Sequence, residues 1–120
     1  MDDTQTLARK EILQSELARY LKILINNGGP ELIMVFGSLA TGEIHLWSDI
    51  DLLIVQPTSL PFYQRLHEFR RLLKPQVATD ILVYTPEEFD QLRRERPFFR
   101  EEILAKGMIM YERKYADSLH

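Results

Sequence analysis

The feature that most constrains the fold is a pair of aspartates, Asp49 and Asp51, at the head of the apolar run Leu52-Leu53-Ile54-Val55. A short apolar run of this kind predicts a buried strand. Because strand side chains alternate between two faces, both carboxylates are expected on one face. Two carboxylates there repel each other unless a cation neutralises them. The pair therefore predicts a site for Mg²⁺, which prefers oxygen ligands and bound phosphates. Exposed acids at the start of a strand are the alternative.

A Gly-Ser turn, Gly37-Ser38, precedes Asp49 by ten intervening residues. It follows the apolar segment 32–36, which predicts a buried strand. Glycine lets the backbone approach a ligand without a Cβ in the way, and the serine adds a hydroxyl beside outward-pointing amides. The turn is therefore a candidate phosphate-binding site. An ordinary strand-ending turn, with Ser38 as a helix cap, is the alternative.

A third acid, Asp80, lies in the segment 76–84, which is rich in β-branched residues and predicts another strand. A charge among apolar strand residues needs a partner. If this strand lies beside the strand that begins near Ile50, Asp80 faces Asp49 and Asp51. The three carboxylates would then form the kind of cluster that holds two Mg²⁺. An ion pair between Asp80 and an arginine is the alternative.

The remaining elements are read from apolar spacing and from turn residues. Leucine spacing predicts a first helix over about residues 4–26, which ends at an Asn-Asn-Gly-Gly-Pro sequence. A second amphipathic helix is predicted between Pro61 and Pro75, with an outer face that carries Arg65, Arg70, Arg71 and Lys74. Thr85 and Pro86 predict a capped short helix, followed by a helix over 98–106 and a last strand over 108–111.

Composition excludes several classes of protein. A length of 120 residues predicts one domain over 1–120, with its motifs in a core of about 30–112. A net charge of −3 argues against direct nucleic-acid binding. The chain has no cysteine, and its three histidines (His45, His67 and His120) show no zinc spacing. With no apolar run near the ~20 residues of a membrane span and an acidic N-terminus, a cytoplasmic protein is expected.

Taken together, these motifs resemble one family. A Gly-Ser turn, ten intervening residues, an Asp-x-Asp pair and a later strand with a third Asp are similar to the minimal nucleotidyltransferases (MNT) of the DNA polymerase β superfamily. The similarity covers roughly residues 30–112. It includes the segment Ser48-Asp49-Ile50-Asp51-Leu52-Leu53-Ile54 and a tail that runs from Thr85 to Glu112. Many members have an arginine where this chain has Thr41, so one cationic contact to the triphosphate is missing.

The resemblance implies an α/β (α+β) fold of the polymerase β-like nucleotidyltransferase type, with a mixed sheet of about four strands flanked by helices. It implies that Gly37 and Ser38 hold a nucleoside triphosphate, ATP, as the substrate. It also implies that Asp49, Asp51 and Asp80 hold two Mg²⁺, with Asp80 in the place of the general base. The implied reaction is nucleotidyl transfer, in which an acceptor hydroxyl attacks the α-phosphorus and pyrophosphate leaves.

The same resemblance implies a biological role, because minimal nucleotidyltransferases pair with small helical proteins of the HEPN class. The leading interpretation is an antitoxin that transfers AMP from ATP to a tyrosine hydroxyl of its HEPN toxin. A non-catalytic antitoxin that covers its toxin and a small-molecule nucleotidyltransferase of the aminoglycoside-modifying type are the alternatives. In the loop before the acids, His45 is expected at the surface, and Trp47 is expected to pack over the core rather than to contact a base or an acceptor.

Overall fold

The computed structural model describes residues 3–113, so His120 lies outside the described residues. Within this range, helices and strands follow one another in the order α1 (Asp3–Asn26), β1 (Leu32–Phe36), α2 (Ser38–Thr41), β2 (Ile50–Val55), α3 (Phe62–Leu73), β3 (Thr79–Tyr84), α4 (Pro86–Glu95), α5 (Phe99–Leu104) and β4 (Met108–Glu112). The predicted cap of α4 is present: the Thr85 side chain accepts a hydrogen bond from the backbone N–H of Glu88, and the Glu88 side chain accepts one from the N–H of Thr85.

The four strands form one sheet in the order β3-β2-β1-β4. Strand β1 pairs antiparallel with β2 and with β4, whereas β2 and β3 run parallel. The register sets Asp51 of β2 opposite Phe36 of β1 and opposite Asp80 of β3. The predicted α/β fold, with a mixed sheet of four strands flanked by helices, is confirmed.

Different helices cover the two faces of the sheet. Leu52 of β2 is fully buried in an apolar cluster that includes residues of α1 and α3. Its neighbour Leu53 lies in a second cluster with Met34 of β1 and Phe99 of α5. Because Asp51 is two residues from Leu53, its side chain lies on the same face as α5. Asp51 therefore lies at one end of a sheet face whose other residues are apolar and are covered by α5.

Two elements differ from their predicted bounds. Strand β3 begins at Thr79 rather than at Gln76. The helix predicted over 98–106 is a π-helix, in which the N–H of Ala105 donates to the carbonyl of Arg100, five residues earlier, at 2.9 Å. None of the helices within residues 3–113 combines the length and the apolar character that a bilayer crossing needs.

The open edge of β3 is covered by α3. The N–H of Ile50 donates to the carbonyl of Ala78, so even-numbered residues of β3 present their backbone groups to β2. The carbonyls of the odd-numbered residues then point to the open edge, where they have no strand partner. Arg70 of α3 donates to one of them, that of Thr79, at 2.5 Å. This contact both satisfies an edge carbonyl and blocks further strand addition there.

Arg65 is not on the outer face of α3, and that prediction is wrong. Its side chain is buried and donates to the edge carbonyl of Val83 at 3.1 Å and to the carbonyl of Leu60 at 2.8 Å. It also pairs with both carboxylate oxygens of Glu88 in α4, at 2.6 and 3.3 Å. Helical spacing could not reveal this position because the partners come from β3 and α4. Arg65 thus joins three consecutive elements.

Arg65→Met is expected to lower the free energy of unfolding by about 3 kcal/mol, because it removes the donor to the carbonyls of Val83 and Leu60 and leaves the Glu88 carboxylate with the N–H of Thr85 alone. The measurement is urea unfolding followed by circular dichroism. Arg71→Met on the same helix is the control, since Arg71 is 73% exposed and lies 3.9 Å from its partner Glu68. The free energy of unfolding of Arg71→Met is expected to stay within about 0.5 kcal/mol of the wild-type value. Equal changes in the two variants would contradict the bridging role of Arg65.

Candidate active site

The three predicted acids come together at one end of the sheet. Asp49 directly precedes β2, Asp51 lies in β2 and Asp80 lies in β3. One carboxylate oxygen of each lies within 4.8 Å of those of the other two. The parallel pairing of β2 with β3 produces this convergence, because it sets Asp80 beside Asp51 in register. The alternative for Asp80, an ion pair with an arginine, does not occur within residues 3–113.

The cluster is electrostatically unfavourable by itself. Burial is the largest cause, and together with the negative charges of Asp49 and Asp80 it raises the pKa of Asp51 to about 6. Asp80 is the exposed member, whereas the other two are half-buried. Three close carboxylates with one raised pKa form a donor set that fits a hard divalent cation, because the cation removes the repulsion and accepts only oxygen ligands.

The Gly-Ser turn touches the acids directly. Gly37 has φ +68° and ψ −147°, and a Cβ added there would lie 2.2 Å from Oδ2 of Asp51. The missing Cβ therefore makes room for a carboxylate of the chain itself. Ser38 is the first residue of α2 and does not cap it, because Gly37 occupies the cap position and no side-chain cap is formed. The alternative of Ser38 as a helix cap is therefore not observed.

Two features of this region, the burial of Ser48 and the contact made by Arg9, were not anticipated from the sequence, in which Ser48 is expected at most to cap a turn before exposed acids. Ser48 is buried, and its hydroxyl accepts a hydrogen bond from the N–H of His45 at 2.8 Å. The same hydroxyl donates to Oγ of Ser38 at 3.2 Å. The Ser48 carbonyl accepts from Nε and Nη2 of Arg9 in α1, at 3.0 and 2.8 Å. Nothing in the local sequence indicates Arg9, which lies 39 residues before its partner.

The prediction for Trp47, in the loop before the acids, is wrong. Trp47 is 85% exposed and does not pack over the core. The buried residue of the turn 45–48 is Ser48, whose N–H donates to the carbonyl of His45 at 3.0 Å. His45 is exposed, as expected.

Thr41 cannot make the cationic contact to a triphosphate that an arginine at this position would make, and few arginines nearby are free to replace it. Thr41 is exposed, and its hydroxyl accepts from the N–H of Glu43 at 3.3 Å. Arg93 and Arg94 pair with Asp90, Arg100 donates to two backbone carbonyls, and Arg65 is internal. Of the five arginines that could replace this contact (Arg65, Arg93, Arg94, Arg96 and Arg100), Arg96 is the one whose side chain makes no hydrogen bond or ion pair with residues 3–113.

The metal-free protein is expected to be more stable at pH 5 than at pH 7.5 through Asp51. The pKa of this carboxyl is raised from 3.8 to about 6, so its stabilising effect is complete below pH 3.8 and is lost as the pH rises through about 6. The expected difference is about 1 kcal/mol in urea unfolding with EDTA. Asp51→Asn is the comparison, and it is expected to lack this part of the pH dependence. Identical pH profiles for the two proteins would contradict the assignment.

A mixed sheet with three converging carboxylates beside a Gly-Ser turn defines a nucleotidyltransferase fold and a candidate site for phosphate chemistry. The sequence model of the family described as "Polymerase beta, Nucleotidyltransferase" matches residues 19–116, and the chain belongs to this family. No protein with a curated functional description matches the chain in sequence.

Solved structures share the fold at low identity. A Sulfolobus solfataricus protein, provisionally assigned as a nucleotidyltransferase, is similar with a TM-score of 0.66 and 17% identity over 91% of this chain and 88% of that one. A toxin–antitoxin complex, MntA-HpeT with a tyrosine-to-alanine mutation, contains a chain with a TM-score of 0.50 and 23% identity over 82% and 74%. A structure of a tri-AMPylated Shewanella oneidensis HEPN toxin in complex with an MNT antitoxin contains a chain with a TM-score of 0.47 and 18% identity over 89% of this chain and 78% of that one.

Proposed function

We propose that this chain is a Mg²⁺-dependent nucleotidyltransferase that transfers AMP from ATP to a tyrosine hydroxyl of a HEPN-class toxin, and so acts as its antitoxin. The observation that carries the catalytic part is the convergence of Asp49, Asp51 and Asp80 within 4.8 Å on the fold of this family. A vestigial site would have no need to keep three mutually repelling carboxylates at the end of an apolar face.

The proposed Mg²⁺ ligands are Asp49, Asp51 and Asp80. Their oxygens form a cluster of negative charge that a divalent ion would stabilise. When bound, the metal supplies charge neutralisation of the triphosphate and lowers the pKa of the attacking hydroxyl. We assign the two half-buried acids, Asp49 and Asp51, to metal binding alone. The exposed acid, Asp80, is accessible to an acceptor from solvent and is the proposed general base.

The Gly37-Ser38 turn is the proposed contact for the triphosphate. Ser38 accepts a hydrogen bond from the hydroxyl of Ser48, the residue that precedes Asp49, so the turn and the acids are held side by side. An acceptor oxygen then attacks the α-phosphorus, its proton passes to Asp80, and the bond to pyrophosphate breaks. The products are an AMP phosphodiester on the acceptor and free pyrophosphate.

The identity of the acceptor rests on the sequence resemblance to minimal nucleotidyltransferases and is supported by the shared fold with a chain of the MntA-HpeT toxin–antitoxin complex. A phosphodiester added near a nuclease site would repel RNA by its negative charge and its bulk. This gives an antitoxin a covalent means of inhibition.

The test is to mix the protein with its HEPN partner, ATP and Mg²⁺ and to measure the intact mass of the partner. The expected result is a mass increase of one or more AMP units, located on tyrosine by fragmentation, together with loss of ribonuclease activity. Asp51→Asn is the control and should give no increase. Inhibition without any mass increase would replace the proposal with a covering antitoxin. AMP transfer to an aminoglycoside and not to the partner would replace it with a small-molecule enzyme.

A further inference from the structure

The segment that leads into the acids lacks regular structure. Residues 42–49 lie between α2 and β2, and the first backbone hydrogen bond from β2 to the β3 side is made by Ile50. The peptide between Ser48 and Asp49 is therefore outside the sheet ladder. Since a metal ligand has to be held to within a fraction of an ångström, something other than the sheet must hold this peptide.

Arg9 supplies that contact. Its Nε and Nη2 both donate to the carbonyl of Ser48, at 3.0 and 2.8 Å, and this carbonyl belongs to the peptide that begins Asp49. Two charge-assisted hydrogen bonds from one planar guanidinium fix the direction of the carbonyl as well as its distance. The ion pairs found within residues 3–113 do not include Arg9, so it acts on the backbone and not on the carboxylates.

The Ser48 side chain extends this arrangement to the Gly-Ser turn. Its oxygen accepts the N–H of His45, and its single hydroxyl hydrogen is donated to Oγ of Ser38. Ser38 accepts in that bond, so its own hydroxyl hydrogen stays available for donation to a ligand oxygen. Ser48 thus connects a proposed metal ligand with a proposed phosphate ligand, and Arg9 anchors Ser48 to α1.

We propose that Arg9 is a positioning residue of the active site, which holds Asp49 in its metal-binding geometry through the Ser48 carbonyl. The inference rests on the proposed metal site. Arg9 lies before residues 19–116, the part of the chain that the family model matches, so family membership does not assign it. Helix α1 also stays anchored without Arg9, because Leu13 and Tyr20 are fully buried.

A second arginine of α1 provides a matched control. Arg19 donates to a backbone carbonyl, that of Lys74, at 3.0 Å, and pairs with the buried Glu16 at 2.7 Å. Hydrogen bonding to Arg19 is the largest of the effects that lower the pKa of Glu16 to about 2, so loss of Arg19 leaves a buried carboxylate without its main partner. Arg19→Met is therefore expected to destabilise the fold more than Arg9→Met. Its partners, Glu16 within α1 and Lys74 at the end of α3, lie outside the acid cluster.

The experiment measures Mn²⁺ binding to the full chain by calorimetry, with thermal unfolding of the metal-free proteins in parallel. Arg9→Met is expected to raise the Kd for Mn²⁺ by about tenfold, in the range found when groups that orient metal ligands are removed. Arg9→Lys keeps a hydrogen-bond donor but not the two donors in fixed geometry. Its Kd for Mn²⁺ is expected to lie between those of the wild type and of Arg9→Met. Arg19→Met is expected to keep the wild-type Kd within about twofold despite its lower melting temperature.

The outcomes separate this inference from the proposed function. A wild-type Kd in Arg9→Met, with weakened binding in Asp51→Asn, would overturn the role of Arg9 and leave the metal site intact. Equal weakening in Arg9→Met and Arg19→Met would also overturn it, because general destabilisation would then explain both. A wild-type Kd in Asp51→Asn would refute the metal site, and the proposed function would fail with it.

Discussion

Asp51→Asn is expected to lower the rate of nucleotidyl transfer by about 10³-fold while making the metal-free protein more stable. The carboxylate lies between the other two, since it pairs in register with Asp80 and follows Asp49 by two residues. Loss of one proposed metal ligand would remove several kcal/mol of stabilisation of the transition-state charge, which corresponds to a rate loss of this order. The measurement is single-turnover AMP transfer at saturating ATP.

The stability of the same variant should change in the opposite direction. At pH 7.5 the ionised Asp51 of the wild-type protein is held close to two other carboxylates and is partly desolvated, which is why its pKa is raised to about 6. A neutral amide of the same shape removes this cost, and we expect a gain of about 1–2 kcal/mol in urea unfolding with EDTA. Added Mg²⁺ should stabilise the wild-type protein and leave Asp51→Asn unchanged.

The control for this prediction is Glu68→Gln, which removes one carboxylate from the exposed surface of α3. It should leave the rate of transfer unchanged and alter the free energy of unfolding by no more than about 0.5 kcal/mol. Asp49→Asn should reproduce the loss of activity. Turnover of Asp51→Asn within twofold of wild type would refute the assignment of this carboxylate to metal binding.

Gly37→Ala is expected to destroy the site and to lower the free energy of unfolding by about 3 kcal/mol. Its backbone lies near a region of φ and ψ that is essentially restricted to glycine. The added Cβ would also lie 2.2 Å from Oδ2 of Asp51, so either the turn or the carboxylate has to move. Because a displacement of about 1 Å at a catalytic group costs on the order of 10²-fold, transfer should fall at least that far.

Gly42→Ala is the matched comparison, five positions later at the other end of α2. Gly42 also has a positive φ, +84°, but a Cβ there would meet no atom within 4 Å. We expect a loss of about 1 kcal/mol from backbone strain and nearly normal transfer and Mn²⁺ binding. If both variants lost Mn²⁺ binding equally, strain in the turn would explain the result and the contact between Gly37 and Asp51 would not matter.

Much of the fold could be predicted because the signals are local. The boundaries of α1, α3 and β2 follow from leucine spacing, flanking prolines and short apolar runs, and each lies within about two residues of its observed position. The cap of α4 depends on Thr85 and Glu88, which are only three residues apart. The shared face of Asp49 and Asp51 follows from the period of a strand. These features depend on neighbours in sequence, which a single chain displays directly.

The errors share a different cause. Arg65 has the helical spacing of an outer-face residue, yet it is buried because the edge carbonyl of Val83 and the carboxylate of Glu88 lie beside it. Trp47 is exposed, and the buried residue of its turn is Ser48, which Arg9 holds from α1. Each outcome depends on a partner that sequence spacing does not identify.

The sequence by itself determined that two carboxylates share one face of a buried strand and that a Gly-Ser turn ends the strand before it. Only the tertiary structure decided that β3 lies parallel to β2 with Asp80 opposite Asp51, that Gly37 packs on that same carboxylate, and that Arg9 reaches the Ser48 carbonyl. The physical reason is the range of the interactions. Backbone period and turn geometry act over a few residues, whereas strand order and hydrogen bonds across 39 positions arise only when the whole core packs.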